Sequence, residues 1–401
     1  MRWEILPPAL TLLAAALLGQ AQAVSWDQRI EDATKAYQQG RYTDAERELK
    51  TALQEAEGFE PRDPRLAAAL DQLITVYRTQ GKPELAEPHY HRLLGIEEGT
   101  WGPSDLRLVP VLNGLGTLYT SARKYEEAES VYQRALAIRE KAVGEKHPDV
   151  AGSLENLAGL YAIQAKFEEA AVFYARALDV REQSQGPDNM SVANTLDGLA
   201  GVYRDQGKYV PAEPLYRRAL EIREKLLGPD HSDLVPTLDN IAWVCYAQRK
   251  FTEAEPLYGR SLVIWQKAVG MDHPTVATAL DNLAGVYVAE ERYAQAEPLY
   301  QRALAIREKT ALASFEKLAS LYVGEKKYAQ AEPLYLRALA VAEKMSPPDR
   351  VELGMILEKY AELLRLMGRT EDADTASARL RTIRARLGQE PATSKKPDPA
   401  P

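Results

Sequence analysis

The chain has 401 residues, of which 58 are acidic and 50 basic, giving a formal charge of −8 and a pI near 5.5. A field of that sign repels a phosphate backbone, so nucleic acid is excluded as an expected partner. A single cysteine, Cys245, excludes an intramolecular disulfide, and the fold has to be held by packing alone.

Residues 1–23 are composed unlike the rest: Arg2 near the start, an apolar stretch from Ala9 to Leu18, then Ala21, Gln22 and Ala23 as a small-x-small site. This pattern is that of a secretory signal peptide cleaved after Ala23. Its apolar run falls short of the roughly 20 residues that cross a bilayer. The expectation is an exported protein, periplasmic or secreted, with no membrane span in the mature chain. At the other end, residues 388–401 carry four prolines among polar groups and read as a disordered Pro-rich tail.

Between them one phrase recurs: AEPLYRRAL from Ala212, AEPLYGRSL from Ala254, AEPLYQRAL from Ala296 and AEPLYLRAL from Ala331. Its leading alanine continues through Ala45, Ala86, Ala128 and Ala170 upstream and Ala373 downstream, in steps of 41 or 42 residues with one step of 35. About nine units therefore fill residues 24–387 as one elongated domain. A period in this range marks a solenoid, in which each unit buries its apolar face only against its neighbours.

Each unit reads as two amphipathic helices. In the unit from Leu154 to Leu178, Leu154, Leu157, Ala158 and Tyr161 share one helical face, and after a break at Ala165 and Lys166 a second set follows with Ala170, Tyr174, Ala177 and Leu178. The alanines mark close backbone approach, and the tyrosine ladder Tyr90, Tyr132, Tyr174, Tyr216, Tyr258, Tyr300 and Tyr335 belongs to the core. The prolines of the phrase, Pro88, Pro214, Pro256, Pro298 and Pro333, are placed near the first turn of the second helix. Junctions such as IREKAVGEKHPDV end one helix at Gly144 and start the next near Pro148, where a missing donor costs nothing. The short step deletes seven residues, nearly two helical turns, so the apolar phase survives while the connection is lost. A local change of superhelix curvature is expected around Thr310 to Ser314.

No catalytic constellation emerges. His147, His231 and His273 occupy one junction slot, filled by Asn189 in the intervening unit. Units stacked about 8–10 Å apart cannot bring such residues to about 2 Å from one ion, so neither a metal nor another cofactor is expected. Cys245 stands on a packing face, Gly114 and Gly116 lie within a helix rather than after a strand, and the carboxylates form rows rather than a split pair.

Leu196, Leu199, Ala200, Tyr203, Ala212 and Tyr216, repeated as Leu280, Leu283, Ala284, Tyr287, Ala296 and Tyr300, resemble the signature of the tetratricopeptide repeat family. The 42-residue length, LDNLAGVY and the HPxV junction are similar to the kinesin-light-chain subclass and its bacterial relatives. The resemblance spans about residues 27–387. Cys245, Ala36 and Leu364 depart from it by replacing the first-helix tyrosine.

The resemblance implies an all-α fold, a right-handed superhelical α-solenoid of about nine antiparallel helix pairs whose first helices line a concave groove. It also implies a non-enzymatic scaffold or adaptor that holds peptide or protein segments there. Carried over residue by residue, the groove falls to Asn113, Asn156, Asn240 and Asn282, with Asp71, Glu155, Asp197, Asp239 and Asp281 beside them and Arg78 and Arg204 as basic exceptions. Asparagine and glycine are poor mid-helix residues, which calls for a compensating use. The amides suit an extended backbone, and the acids suit a basic or neutral segment. The opposing reading pairs those acids with the second-helix arginines Arg92, Arg134, Arg176, Arg218, Arg260, Arg302 and Arg337. A cytoplasmic cargo or signalling adaptor like a kinesin light chain is the alternative, weakened by the leader and by the lack of a preceding heptad coiled coil.

Overall fold

The computed structural model describes residues 25–60, 62–324, 326–344 and 350–387; the leader expected at 1–23 and the tail expected at 388–401 lie outside them. Among the described residues the chain is helical, without strands. It forms two compact units, Met1–Leu215 and Tyr216–Pro401. The first holds α1 (Trp26–Gln38), α2 (Tyr42–Ala56), α3 (Pro64–Thr79), α4 (Pro83–Trp101), α5 (Val109–Ser121), α6 (Tyr125–Val143), α7 (Pro148–Ile163), α8 (Phe167–Gln185) and α9 (Met190–Asp205). Helix α10 (Tyr209–Leu227) carries the boundary. The second unit continues with α11 (Val235–Ala247), α12 (Phe251–Val269), α13 (Pro274–Ala289), α14 (Tyr293–Gly324), α15 (Tyr328–Lys344), α16 (Arg350–Leu366) and α17 (Thr370–Leu387).

Local chemistry sets the helix ends. Within each hairpin one residue takes the left-handed conformation: Gly40, Gly81, Gly207 and Gly368 in four, but Arg123, Ala165, Arg249, Glu291 and Lys326 in five, at φ between 56° and 61°. Lys124 N–H donates to the Tyr119 carbonyl at 2.8 Å and Arg123 N–H to Thr120 at 3.1 Å, the double bond of a Schellman turn. That closure offsets the cost of about 1–2 kcal/mol that a side chain meets in this region. The longer junctions stop at Gly102, Gly144, Gly186, Gly228 and Gly270, all at φ of 84° to 92°. The next helix is then capped by His147, Asn189 or His273, whose side chains accept from the backbone N–H two residues on. At His231 the same cap opens a short 3-10 turn, Ser232–Leu234, ahead of α11. Capping accounts for the shared histidine slot and for the asparagine that replaces it.

The alanine ladder sits where helices touch: Ala45, Ala86, Ala128, Ala170, Ala212, Ala254, Ala331 and Ala373 are wholly buried and Ala296 is 2 % exposed. Cys245 is buried too. The prolines of the repeated phrase are deeper than their sequence placement. Pro88 and Pro256 are each the sixth residue of their helix, so each removes one intrahelical bond beyond the first turn.

The seven-residue deletion has a larger effect than a change of curvature. It leaves no room for a junction, and α14 runs unbroken for 32 residues, about 48 Å. Its first half packs on α13 and its second half on α15, where a separate core forms from Leu312, Ala319, Tyr335, Leu339, Leu357 and Leu364. The chain reversal that follows every other second helix up to this point is missing here. Tyr300, expected in the core, is accordingly 41 % exposed, whereas Tyr90, Tyr132, Tyr216, Tyr258 and Tyr335 are buried.

Candidate functional site

The polar row lies on the first helices, one step off their Leu-Ala packing face. In the first unit Asn113, Glu155, Asn156 and Asp197 are half-buried and Asp71 is exposed; in the second, Asp239, Asn240, Asp281 and Asn282 are half-buried. Adjacent repeats touch along it, since Asn156 Nδ2 donates to Asn113 Oδ1 at 3.2 Å. Arg78 reaches the Tyr90 hydroxyl at 3.4 Å, and Arg204 is paired with its neighbour Asp205 at 2.8 Å.

Glu155, Asp281 and Glu358 are neutralised by arginines outside the row Arg92 to Arg337. Arg181, on α8, grips Glu155 of α7 with two hydrogen bonds of 2.9 and 2.6 Å, and Thr195 of α9 donates to the same carboxylate. Arg307 pairs with Asp281 across the α13–α14 hairpin, and Arg384 with Glu358 across α16–α17 at 2.8 Å. In each pair the arginine follows its acid by 26 residues. An arginine after isoleucine or valine, in VREQ at Arg181, IREK at Arg307 and IRAR at Arg384, carries that signal at a spacing that joins the two helices of one hairpin.

The arginine row proposed from sequence works elsewhere. Arg92 pairs with Glu57 at 3.0 Å, Arg134 with Glu98 at 2.6 Å, Arg176 with Glu140 at 2.6 Å and Arg260 with Glu224, tying each second helix to the tail of the one before.

Three positions break the 26-residue rule; beyond Glu316 that place is Ala342, and Lys359 of α16 pairs with Glu316 instead at 3.2 Å. Opposite Asp71 stands Glu97 on α4, one of whose carboxylate oxygens is buried without a hydrogen-bond partner. Burial first, and the charge of Asp71 second, push its carboxyl up to about 7. The residue 26 beyond Asp239 is Trp265 in place of an arginine. Asp239 Oδ1 is likewise buried without a partner, and burial raises the carboxyl above the usual range, opposed by the Ser261 hydroxyl.

The mid-helix glycines have a packing use. A Cβ on Gly114 would fall 2.5 Å from the Tyr90 hydroxyl oxygen, and one on Gly198 would fall 2.5 Å from the Tyr174 ring. Tyr132 instead leans into Gly116 of its own hairpin and meets the Thr117 hydroxyl at 3.2 Å, which leaves room for Asn156 where the repeats on either side have Gly114 and Gly198. Gly114 and Gly198 stand where the tyrosine ring turns to the next hairpin, and Asn156 stands where it turns to its own.

The tetratricopeptide repeat family matches residues 108–183, 191–262 and 244–309, and again, with a second form of the repeat, residues 314–349. The chain belongs to the tetratricopeptide repeat family. Its structure is similar to that of BtubC (BKLC) from P. vanneervenii, 25 % identical, covering 62 % of this chain and 91 % of that one with a TM-score of 0.47. It is also similar to a putative kinesin light chain of Podosopora anserina with nearly identical repeats (24 % identity, 52 % and 97 % coverage, TM-score 0.47). A third similar structure is a tetratricopeptide repeat protein from Parabacteroides merdae (20 %, 70 % and 93 %, 0.45). The comparison with curated proteins returns no match.

Tetratricopeptide repeats generally serve as protein-interaction scaffolds. The histidines of the junction slot cap helices, while His89 stacks on Tyr77 and His91 Nε2 meets the Tyr119 hydroxyl at 2.8 Å. Across the tetratricopeptide hairpin from Asp71, Glu97 gives a pH dependence whose sign follows from its raised carboxyl. Its folded carboxyl holds a proton more tightly than an ordinary glutamate of about 4.3, so the stability it contributes is whole below that value and is lost as pH rises through about 7. The melting temperature of the native chain should fall between pH 5 and pH 8 by more than that of Glu97→Gln. Equal falls in thermal melts of the two proteins would rule the effect out.

Proposed function

We propose that this tetratricopeptide protein is a non-catalytic scaffold or adaptor that holds extended, basic or neutral peptide or protein segments along its first-helix row. We place it in the bacterial cell envelope after removal of residues 1–23. Among the described residues, no helix is long and apolar enough to cross a membrane.

The observation that carries the reading is Asp239. Asp281, Glu316 and Glu358, the other acids of the row in the second unit, each have a cation from another helix, whereas Asp239 keeps a buried carboxylate oxygen without a hydrogen-bond partner. One turn later on the same helix Trp243 is 42 % exposed. A carboxylate beside an exposed indole suits a cationic side chain, by ion pairing and by cation–π attraction. Asn240 beside it and Asn282 in the next repeat supply donors and acceptors for backbone of any sequence.

The test is capture of basic, neutral and acidic extended peptides on an array by protein purified from the envelope, whose first residue is expected to be Val24. Asp239→Asn, and Asn240→Ala with Asn282→Ala, should each reduce capture of basic peptides at least tenfold while moving the melting temperature little. Capture that persists in variants that have lost stability would mean the row serves packing alone.

A further inference from the structure

Helix α14 carries two halves of a repeat-to-repeat interface that cannot meet within one chain. In none of the other repeats is this Tyr and Leu pair of the second helix exposed: Tyr258 is 6 % and Leu262 8 % exposed, Tyr335 2 % and Leu339 6 %, and the least covered pair, Tyr174 and Leu178, is half-buried. Their counterparts on α14, Tyr300 and Leu304, are 41 % and 55 % exposed. The complementary half is the leucine that follows the polar pair on a first helix. Leu115, Leu157, Leu199, Ile241 and Leu283 are at most 8 % exposed there, but Leu318 is 39 % exposed.

Both halves are uncovered for one reason. The segment that should fold back over Tyr300 and Leu304 is the second half of the same straight helix, which carries Leu318 away along the axis. Folding back within the chain would need a reversal, and the five longer junctions upstream each supply a glycine at φ of 84° to 92°. Residues 299–323 contain neither glycine nor proline. Forcing a turn there would unwind helix without the glycine that each of those longer junctions uses.

We propose that a second copy of this chain covers this face, with α14 of one copy lying antiparallel against α14 of the other. Register sets the alignment. Tyr90 meets Gly114 and Tyr174 meets Gly198, a spacing of 24 residues, and subtracting the seven deleted here brings Tyr300 level with position 317, beside Leu318. In an antiparallel pair the two-fold axis then passes close to Glu308 and Lys309, and each copy both offers Tyr300 and Leu304 and receives them at Leu318. Such a contact closes on itself as an isologous dimer and leaves no half exposed. A helix of about 48 Å offers a long seam for it. Each copy makes with its partner the contact that an ordinary junction would have made within the chain.

Sedimentation equilibrium of the full mature chain over a micromolar range tests this. The expected result is a mass twice that of the chain. Leu304→Glu and Leu318→Glu should each weaken the dimer at least tenfold with unchanged helical circular dichroism, because both side chains are exposed in the single copy. Inserting the sequence AVGEKHP of residues 142–148 between Lys309 and Thr310 restores an ordinary junction and should yield a monomer. A native chain that sediments as a monomer throughout, or a dimer that survives both glutamate substitutions and the insertion, would overturn the proposal.

Discussion

Arg181→Met is expected to lower the stability of the first unit by about 2 kcal/mol, a large loss for one side chain that contributes nothing to the apolar core. Arg181 is 15 % and Glu155 24 % exposed by side chain, so the pair is largely withdrawn from water on three helices at once. Removing the guanidinium leaves the Glu155 carboxylate with the Thr195 hydroxyl alone. Breaking a fully buried pair costs about 3–5 kcal/mol, and the residual exposure here reduces the figure. Glu155→Gln in the same chain should restore more than half of the loss, since an amide tolerates the site without a counter-charge. Urea denaturation of the native chain, both single variants and the double variant gives the coupling directly. A single-variant loss under about 0.5 kcal/mol would show that water already screens the pair.

Ala170→Leu should destabilise by about 1–3 kcal/mol through overpacking. The residue is wholly buried on α8 against α7, where Leu157 and Ala158 are wholly buried as well. Three added carbons have no space between backbones that touch. Val172→Leu, on the same helix at a site 67 % exposed, is the control and should change little. Thermal melts of the two variants beside the native chain should separate them by several degrees. Equal melting temperatures would mean that α7 and α8 can part without cost.

Much of this was legible before any coordinates. The alanine ladder, the hairpin break at Ala165 and Lys166 and the helix start at Pro148 follow from residue size, turn chemistry and proline geometry, all local and repeated. The polar row was legible as a row, but the balance of charge along it was not. Arg181 and Glu155 lie 26 residues apart and are joined only because one hairpin folds them together. Arg92, Arg134 and Arg176 looked like suitable partners for the acids and instead reach glutamates at the ends of the preceding second helices. The glycines of the row also misled. Gly114 and Gly198 are spaces for a tyrosine ring, and which side the ring chooses depends on the helix packed against it.

Repetition made the hairpin architecture and its alanine contacts inevitable from composition order alone, because a unit that cannot bury its own apolar stripe has to stack on its neighbours. The identity of the neighbour is a different matter. The deleted junction could be counted in the sequence, yet only the folded chain shows one helix passing straight through the gap and leaving Tyr300, Leu304 and Leu318 in water. The physical reason is that helical phase is a property of local spacing, whereas burial depends on which surface arrives opposite, and that is decided by the path of the whole chain.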